Sequence, residues 1–156
     1  MRNVHIIDKG WNKLLKETKR AASLEVAVGI LEGAQNDGAQ NDGVSVAEYA
    51  TYNEFGTEKI PSRPFMATSF DENAASISND FTVQYSKILR GAQTARGALT
   101  AIGLKHVGSI KSVITGRNFL PKLADATIAR KKGSTKTLID SSVMVNSVQI
   151  SVRNRS

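Results

Sequence analysis

The chain of 156 residues contains no cysteine. It therefore forms no disulfide and offers no thiolate for a zinc site, which suits a reducing compartment. Long apolar runs are missing as well. No stretch approaches the ~20 residues of a membrane-spanning helix, and the opening MRNVHIIDKGWNKLLKETKR lacks both the apolar core and the small-residue cleavage site of a signal peptide. These absences predict a protein made in the cytoplasm with no membrane partner. Aromatic residues are only 6% of the chain, and its two histidines, His5 and His106, stand far apart. No HExxH, GxSxG or GxGxxG pattern occurs. The stretch KKGSTKT at 131–137 has the letters of a phosphate-binding loop without the GxxxxGK[ST] order or the strand that must precede it. The expectation is a non-enzyme without metal or cofactor.

Acidic residues become scarce in the second half. Up to Tyr85 there are 8 Lys/Arg and 12 Asp/Glu, a net of −4, and beyond it 13 Lys/Arg against Asp125 and Asp140 alone, a net of +11, which together give the overall +7. Such asymmetry points either to a nucleic-acid surface or to a molecule whose acidic side meets the basic side of a neighbour. Lys105, Lys111, Arg117, Lys122, Arg130, Lys131, Lys132 and Lys136 are the residues of a basic back half that could face DNA. The aromatics do not interleave with them as in single-strand binders, so only non-specific backbone contact is expected.

What is present reads as one α+β domain over residues 1–156: a small antiparallel or mixed sheet packed with three to four helices, with three or four strands in all. Asp8 is a natural cap for a helix over 8–22 carrying Trp11, Leu14, Leu15 and Thr18 at helical spacing. In SLEVAVGIL the apolar Leu24, Val26, Val28 and Ile30 alternate with Glu25, Ala27 and Gly29, the period of a half-buried strand. AQNDG at 34–38 repeats at once at 39–43 and predicts an extended turn. It lacks the bidentate Glu that closes an EF-hand. VSVAEYATYNEF is read as a strand turning into a short helix, or as strand throughout. Helices are expected over 67–90, begun by Thr68 or Ser69 with Asp71 and Glu72 in the first turn, and over 93–115. The second has Ala95, Leu99, Ile102, His106, Ile110 and Val113 on one stripe and glycines where another backbone comes close. A short helix over 121–130, an irregular or helical LIDSSVMVNSV and a strand at VQISVR complete the chain.

The stretch EFGTEKIPSRPF at 54–65 is the least ordinary part. Pro61 and Pro64 fix φ and bias the residues before them towards extended conformations, so the segment loses little entropy on docking. Here the sequence resembles the tail-completion, or neck, proteins of long-tailed bacteriophages. The shared pattern is a tyrosine-rich approach (Tyr49, Tyr52), then Glu54-Phe55-Gly56-Thr57, then Ile60-Pro61-Ser62-Arg63-Pro64-Phe65, with Ser62 where alanine is usual. A second stretch, Thr137-Leu138-Ile139-Asp140-Ser141-Ser142-Val143-Met144, is similar to the family's P-L-I-D-T-G-x-L, with Ser142 in place of glycine. The resemblance covers residues 24–153 and is carried by these two motifs.

The resemblance implies a structural virion protein that joins the DNA-filled head to the tail as a ring, a hexamer matching the tail's symmetry. Connector or adaptor proteins and the tail tube or its terminator would be its neighbours, and DNA would pass its lumen. Its interface residues would be Tyr49, Tyr52, Glu54, Phe55, Ile60, Pro61, Arg63, Pro64, Phe65, Asp140 and Met144. Phe65 would anchor the segment in the core or in an intersubunit groove. Arg63 would either meet a neighbour's carboxylate or tie down its own loop through Glu54 or Asp140. A tail tube terminator and a basic nucleic-acid-binding accessory protein are the alternative readings.

Overall fold

In the computed structural model, which describes residues 8–31, 44–122, 128–129, 138 and 143–155, the alternating stretch is indeed a strand, β1 (Leu24–Ile30). It follows a helix α1 (Trp11–Ser23). The Asp8 carboxylate accepts from the amides of Gly10, Trp11 and Asn12 at 2.9, 2.6 and 3.4 Å, so it serves the helix start as expected, from just outside it. Three further helices follow, α2 (Val46–Phe55), α3 (Phe65–Leu89) and α4 (Ala95–Gly116). A single turn α5 (Val143–Asn146) then leads into β2 (Val148–Asn154).

β1 and β2 pair antiparallel in the register Leu24↔Asn154 to Ile30↔Val148. Glu25 and Arg153 sit opposite each other and form a 2.7 Å ion pair, the cross-strand pairing that a ladder favours. The architecture is α+β, with a two-stranded antiparallel sheet packed against the helices. Among the described residues there are two strands, not three or four. The stretch from Val46 is helix because Ser45 caps it, its Oγ accepting from the Glu48 amide at 3.1 Å. That Ser-x-x-Glu spacing outweighs the β-branched Val44 and Val46. The AQNDG copies and most of the expected helix at 121–130 lie outside the described residues, though Ile128 and Ala129 are helical.

α4 is the spine. Its first half, through Ala95, Ala98 and Leu99, closes one apolar cluster with Leu24 and Ile88. Its second half, through Ile110, Val113 and Ile114, closes a larger one with Val46, Phe65, Phe119, Leu138, Met144 and Val148. The stripe read from the sequence is the buried face, His106 included. Between the clusters the sheet crosses α4 at Gly103. A Cβ there would stand 2.9 Å from both Val26 Cγ2 and Ile150 Cγ2, closer than packed carbons tolerate. The glycine is needed for close approach, though to strand side chains and not to a backbone. Gly108 is different, with nothing within 4 Å of its would-be Cβ.

Gly103→Val is therefore expected to destabilise the fold by about 1–3 kcal/mol through overpacking. Gly108→Ala should be neutral or stabilise it by up to ~1 kcal/mol through helix propensity. Urea unfolding of the two variants measures the contrast.

Candidate functional site

Residues 53–67 form a clasp between α2 and α3, and each unusual residue of the motif has a distinct task in it. Gly56 ends α2 at φ 79°, a left-handed conformation that side chains rarely adopt. A Cβ there would also lie 2.9 Å from the Ser62 amide nitrogen and 3.0 Å from the Ile60 carbonyl oxygen. The Thr57 amide donates to the Ile60 carbonyl at 2.8 Å, and the Thr57 hydroxyl accepts from the amides of Lys59 and Ile60 at 3.2 and 3.0 Å. These bonds turn the chain back on itself. Ser62 Oγ then donates to the Glu54 carbonyl at 2.8 Å, and the Arg63 amide donates to the Asn53 carbonyl at 2.6 Å.

Around Pro64 (φ −74°, ψ 75°) the Phe65 amide reaches the Arg63 carbonyl at 2.8 Å, an inverse γ-turn. It delivers Phe65, 1% exposed, into the larger core cluster, where full burial of a ring contributes about 1.5–3 kcal/mol. The start of α3 is closed by Glu54. Its two carboxylate oxygens accept from the amides of Met66 and Ala67 at 2.8 and 2.9 Å. A carboxylate so placed satisfies orphan donors and opposes the positive end of the helix dipole. α3 accordingly begins at Phe65, earlier than expected, without Thr68 or Ser69 as its cap and with no acid from Asp71 or Glu72 in its first turn.

Arg63 points inward. It is 7% exposed, its Nη1 donates to Asn53 Oδ1 at 3.5 Å, and its Nε has no hydrogen-bond partner. Burial pushes the guanidinium below its ordinary pKa, with the Tyr49 phenol acting in the opposite direction. Of the two internal partners expected, Glu54 is committed to α3, and Asp140 lies outside the described residues. Asn53, 1% exposed and bonded through Nδ2 to the Tyr49 carbonyl at 2.9 Å, takes the role instead. A polar residue between Tyr52 and Glu54 carries no pattern that would have marked it.

The remaining expected interface residues divide by burial. Met144 joins Phe65 in the core and presents no surface. Tyr49, Tyr52 and Ile60 are half-buried, and Pro61 and Pro64 are exposed. Tyr52 donates to Glu48 Oε1 at 2.8 Å, and that bond, reinforced by the carboxylate's charge, raises its phenol above the ordinary value. Phe55 is 77% exposed, beside a 220 Å³ cavity lined by Ala47, Ala50, Thr51 and Met66.

Among the described residues expected to face DNA, Lys122 is exposed and two others are ion-paired. Lys105 lies 2.7 Å from Asp80, with His106 Nε2 3.4 Å from the same carboxylate, and Arg117 lies 2.8 Å from Glu72. Lys111 is half-buried, and Arg130, Lys131, Lys132 and Lys136 fall outside the described residues. Among the described residues no three His, Asp or Glu converge to hold a metal ion. Searches against protein families, characterised proteins and solved structures return no match to the chain.

Replacing Glu54 by Ala should cost about 1–2 kcal/mol, the range for losing a helix cap, while Glu54→Gln, which keeps an acceptor, should cost less. Thermal unfolding ranks the two. Equal stability of both variants with the parent would mean that the carboxylate contributes nothing to the clasp.

Proposed function

We propose that this chain is a structural protein of the head–tail junction of a long-tailed bacteriophage, a neck or tail-completion component that assembles as a ring between the DNA-filled head and the tail. The observation that carries the reading is the clasp. Most residues of the first motif on which the resemblance rests, among them Glu54, Gly56, Thr57, Ser62, Arg63 and Phe65, hold one another in place. Gly56 is where only glycine fits. Glu54 and Arg63 face the chain's own backbone and core. A motif most of whose letters serve one local structure is a stronger pointer to kinship than a run of matching letters on an open loop.

In this reading Arg63 is an internal strut and not a hand offered to a neighbour. The outer surface of the clasp is presented by Phe55, Pro61 and Pro64, fixed in shape before any partner arrives, which lowers the ordering cost of docking. The protein is made in the host cytoplasm and ends in the virion. Lys105 and Arg117, two of the residues expected to face DNA, are ion-paired with Asp80 and Glu72, which weakens their own part in the alternative of a DNA-binding accessory protein.

The test is the mass of the purified protein in solution, alone and then with tails and with DNA-filled, tailless heads. A ring, either free or formed only on those particles, is the expected result. A monomer indifferent to both particles that binds DNA with steep salt dependence would overturn the reading. Arg63→Met, which keeps the side chain's bulk and removes the unpaired Nε, should fold and assemble like the parent. Loss of assembly with unchanged stability would return Arg63 to the interface.

A further inference from the structure

α1 divides into two unlike faces. Trp11, Leu14, Thr18 and Ala21 recur at helical spacing and turn towards α3 and α4. There Leu14 shares a cleft with Ile88 and Leu89, and Ala21 packs on the smaller apolar cluster. On the other side Lys13, Lys16 and Arg20 follow at i, i+3 and i+7, all exposed. Lys9 and Arg90 stand beside Lys13 at the edge of the same cleft, and Lys19 flanks the row. None of these six cations forms an ion pair among the described residues.

The acids around the row do not neutralise it. Residues 8–23 hold five Lys/Arg against Asp8 and Glu17, a net of +3. Asp8 is turned to the amides of Gly10 and Trp11, and Glu17 to the amide of Ala95 at 2.7 Å. On the elements packed against α1, α4 carries no acid. Glu25 of β1 is held by Arg153, and Asp80 of α3 by Lys105. Asp71 and Glu72 stand about 24 Å further along α3 from Ile88.

We infer that this outward face of α1 is a contact surface for the phosphate backbone of duplex DNA. From Lys13 to Arg20 the row runs about 10 Å along the helix, over which a duplex presents about six phosphate charges. Only the polar Asn12 and Ser23 share the face with the cations. Protein interfaces are depleted in lysine and depend on apolar anchors, whereas DNA interfaces are polar and strongly positive. An anionic membrane engages a helix through its apolar side, and in α1 that side is turned to the body of the protein. With no aromatic on the face, bases are neither stacked nor read, so the contact is indifferent to sequence. It lies in the half of the chain whose net charge is −4, and it is independent of ring formation.

Fluorescence anisotropy with a short labelled duplex tests the assignment. With about four phosphates engaged, affinity should fall roughly 100-fold between ~50 and ~200 mM salt. Lys13→Gln, Lys16→Gln and Arg20→Gln combined should weaken binding and flatten the logarithmic salt slope by about three. A second triple variant, Lys59→Gln, Lys111→Gln and Lys122→Gln, makes the same change in net charge away from α1 and should keep the parental affinity and slope. Circular dichroism verifies that both fold. Equal losses in the two triple variants would overturn the assignment, since net charge and not this face would then govern binding. So would a parent that ignores the duplex at ~50 mM salt, or one that binds vesicles rich in phosphatidylserine in its place. A ring that does not bind DNA would sink this inference and leave the junction reading standing. A DNA-binding monomer indifferent to heads and tails would do the reverse.

Discussion

The carboxylate of Glu54 is the contact on which the arrangement of α2, the clasp and α3 depends. It leaves the last turn of one helix and closes the first turn of the next, spanning the prolines between them. Without it, α3 would start with unsatisfied amides above a fully buried Phe65. With it, the direction of α3 relative to α2 is set by two short hydrogen bonds, and the turn around Gly56 has one length that fits. Proline stiffness, the glycine turn and the Thr57 bonds all serve to bring that carboxylate to that helix end.

The elements with a strong period were legible in the sequence. The alternation of Leu24 to Ile30 is the strand, and the stripe from Ala95 to Val113 is the buried face of α4, because burial against one neighbour imposes one period. The stretch from Val46 was not resolved between strand and helix. Its β-branched residues argue for strand, while the deciding signal was a single cap, Ser45 with Glu48 three residues on. The start of α3 was misplaced for a related reason. Its cap comes from a residue twelve positions earlier, and local patterns such as Thr68 or Ser69 with nearby acids do not reveal a cap delivered from another helix.

The clasp was legible as a special segment but not in its inner workings. The prolines and Gly56 announce a fixed shape. That Arg63 turns inward to Asn53 depends on how α2 is placed, which no spacing within 54–65 specifies. The charge asymmetry was likewise read along the chain, acidic half against basic half. In the folded protein α1, part of the acidic half, itself carries Lys13, Lys16, Lys19 and Arg20 against Glu17. Two cations of the back half are meanwhile consumed by Asp80 and Glu72. Sequence order and spatial order of charge diverge because α3 and α4 run side by side and fold the halves onto each other.

Glu54 has a counterpart at the other long helix. The Ala95 amide, at the start of α4, donates to Glu17 Oε2 of α1 at 2.7 Å, across 78 positions of sequence. α4 therefore receives part of its N-terminal closure from the first helix of the chain. During synthesis α1 emerges long before α4 and must wait for it, while α4, which carries both apolar clusters, gains this part of its closure only once α1 has docked. Contacts of such long sequence separation carry a loop-closure cost before they return anything. The amide of Ala95 would accordingly be a sensitive reporter of when α1 has docked against the start of α4.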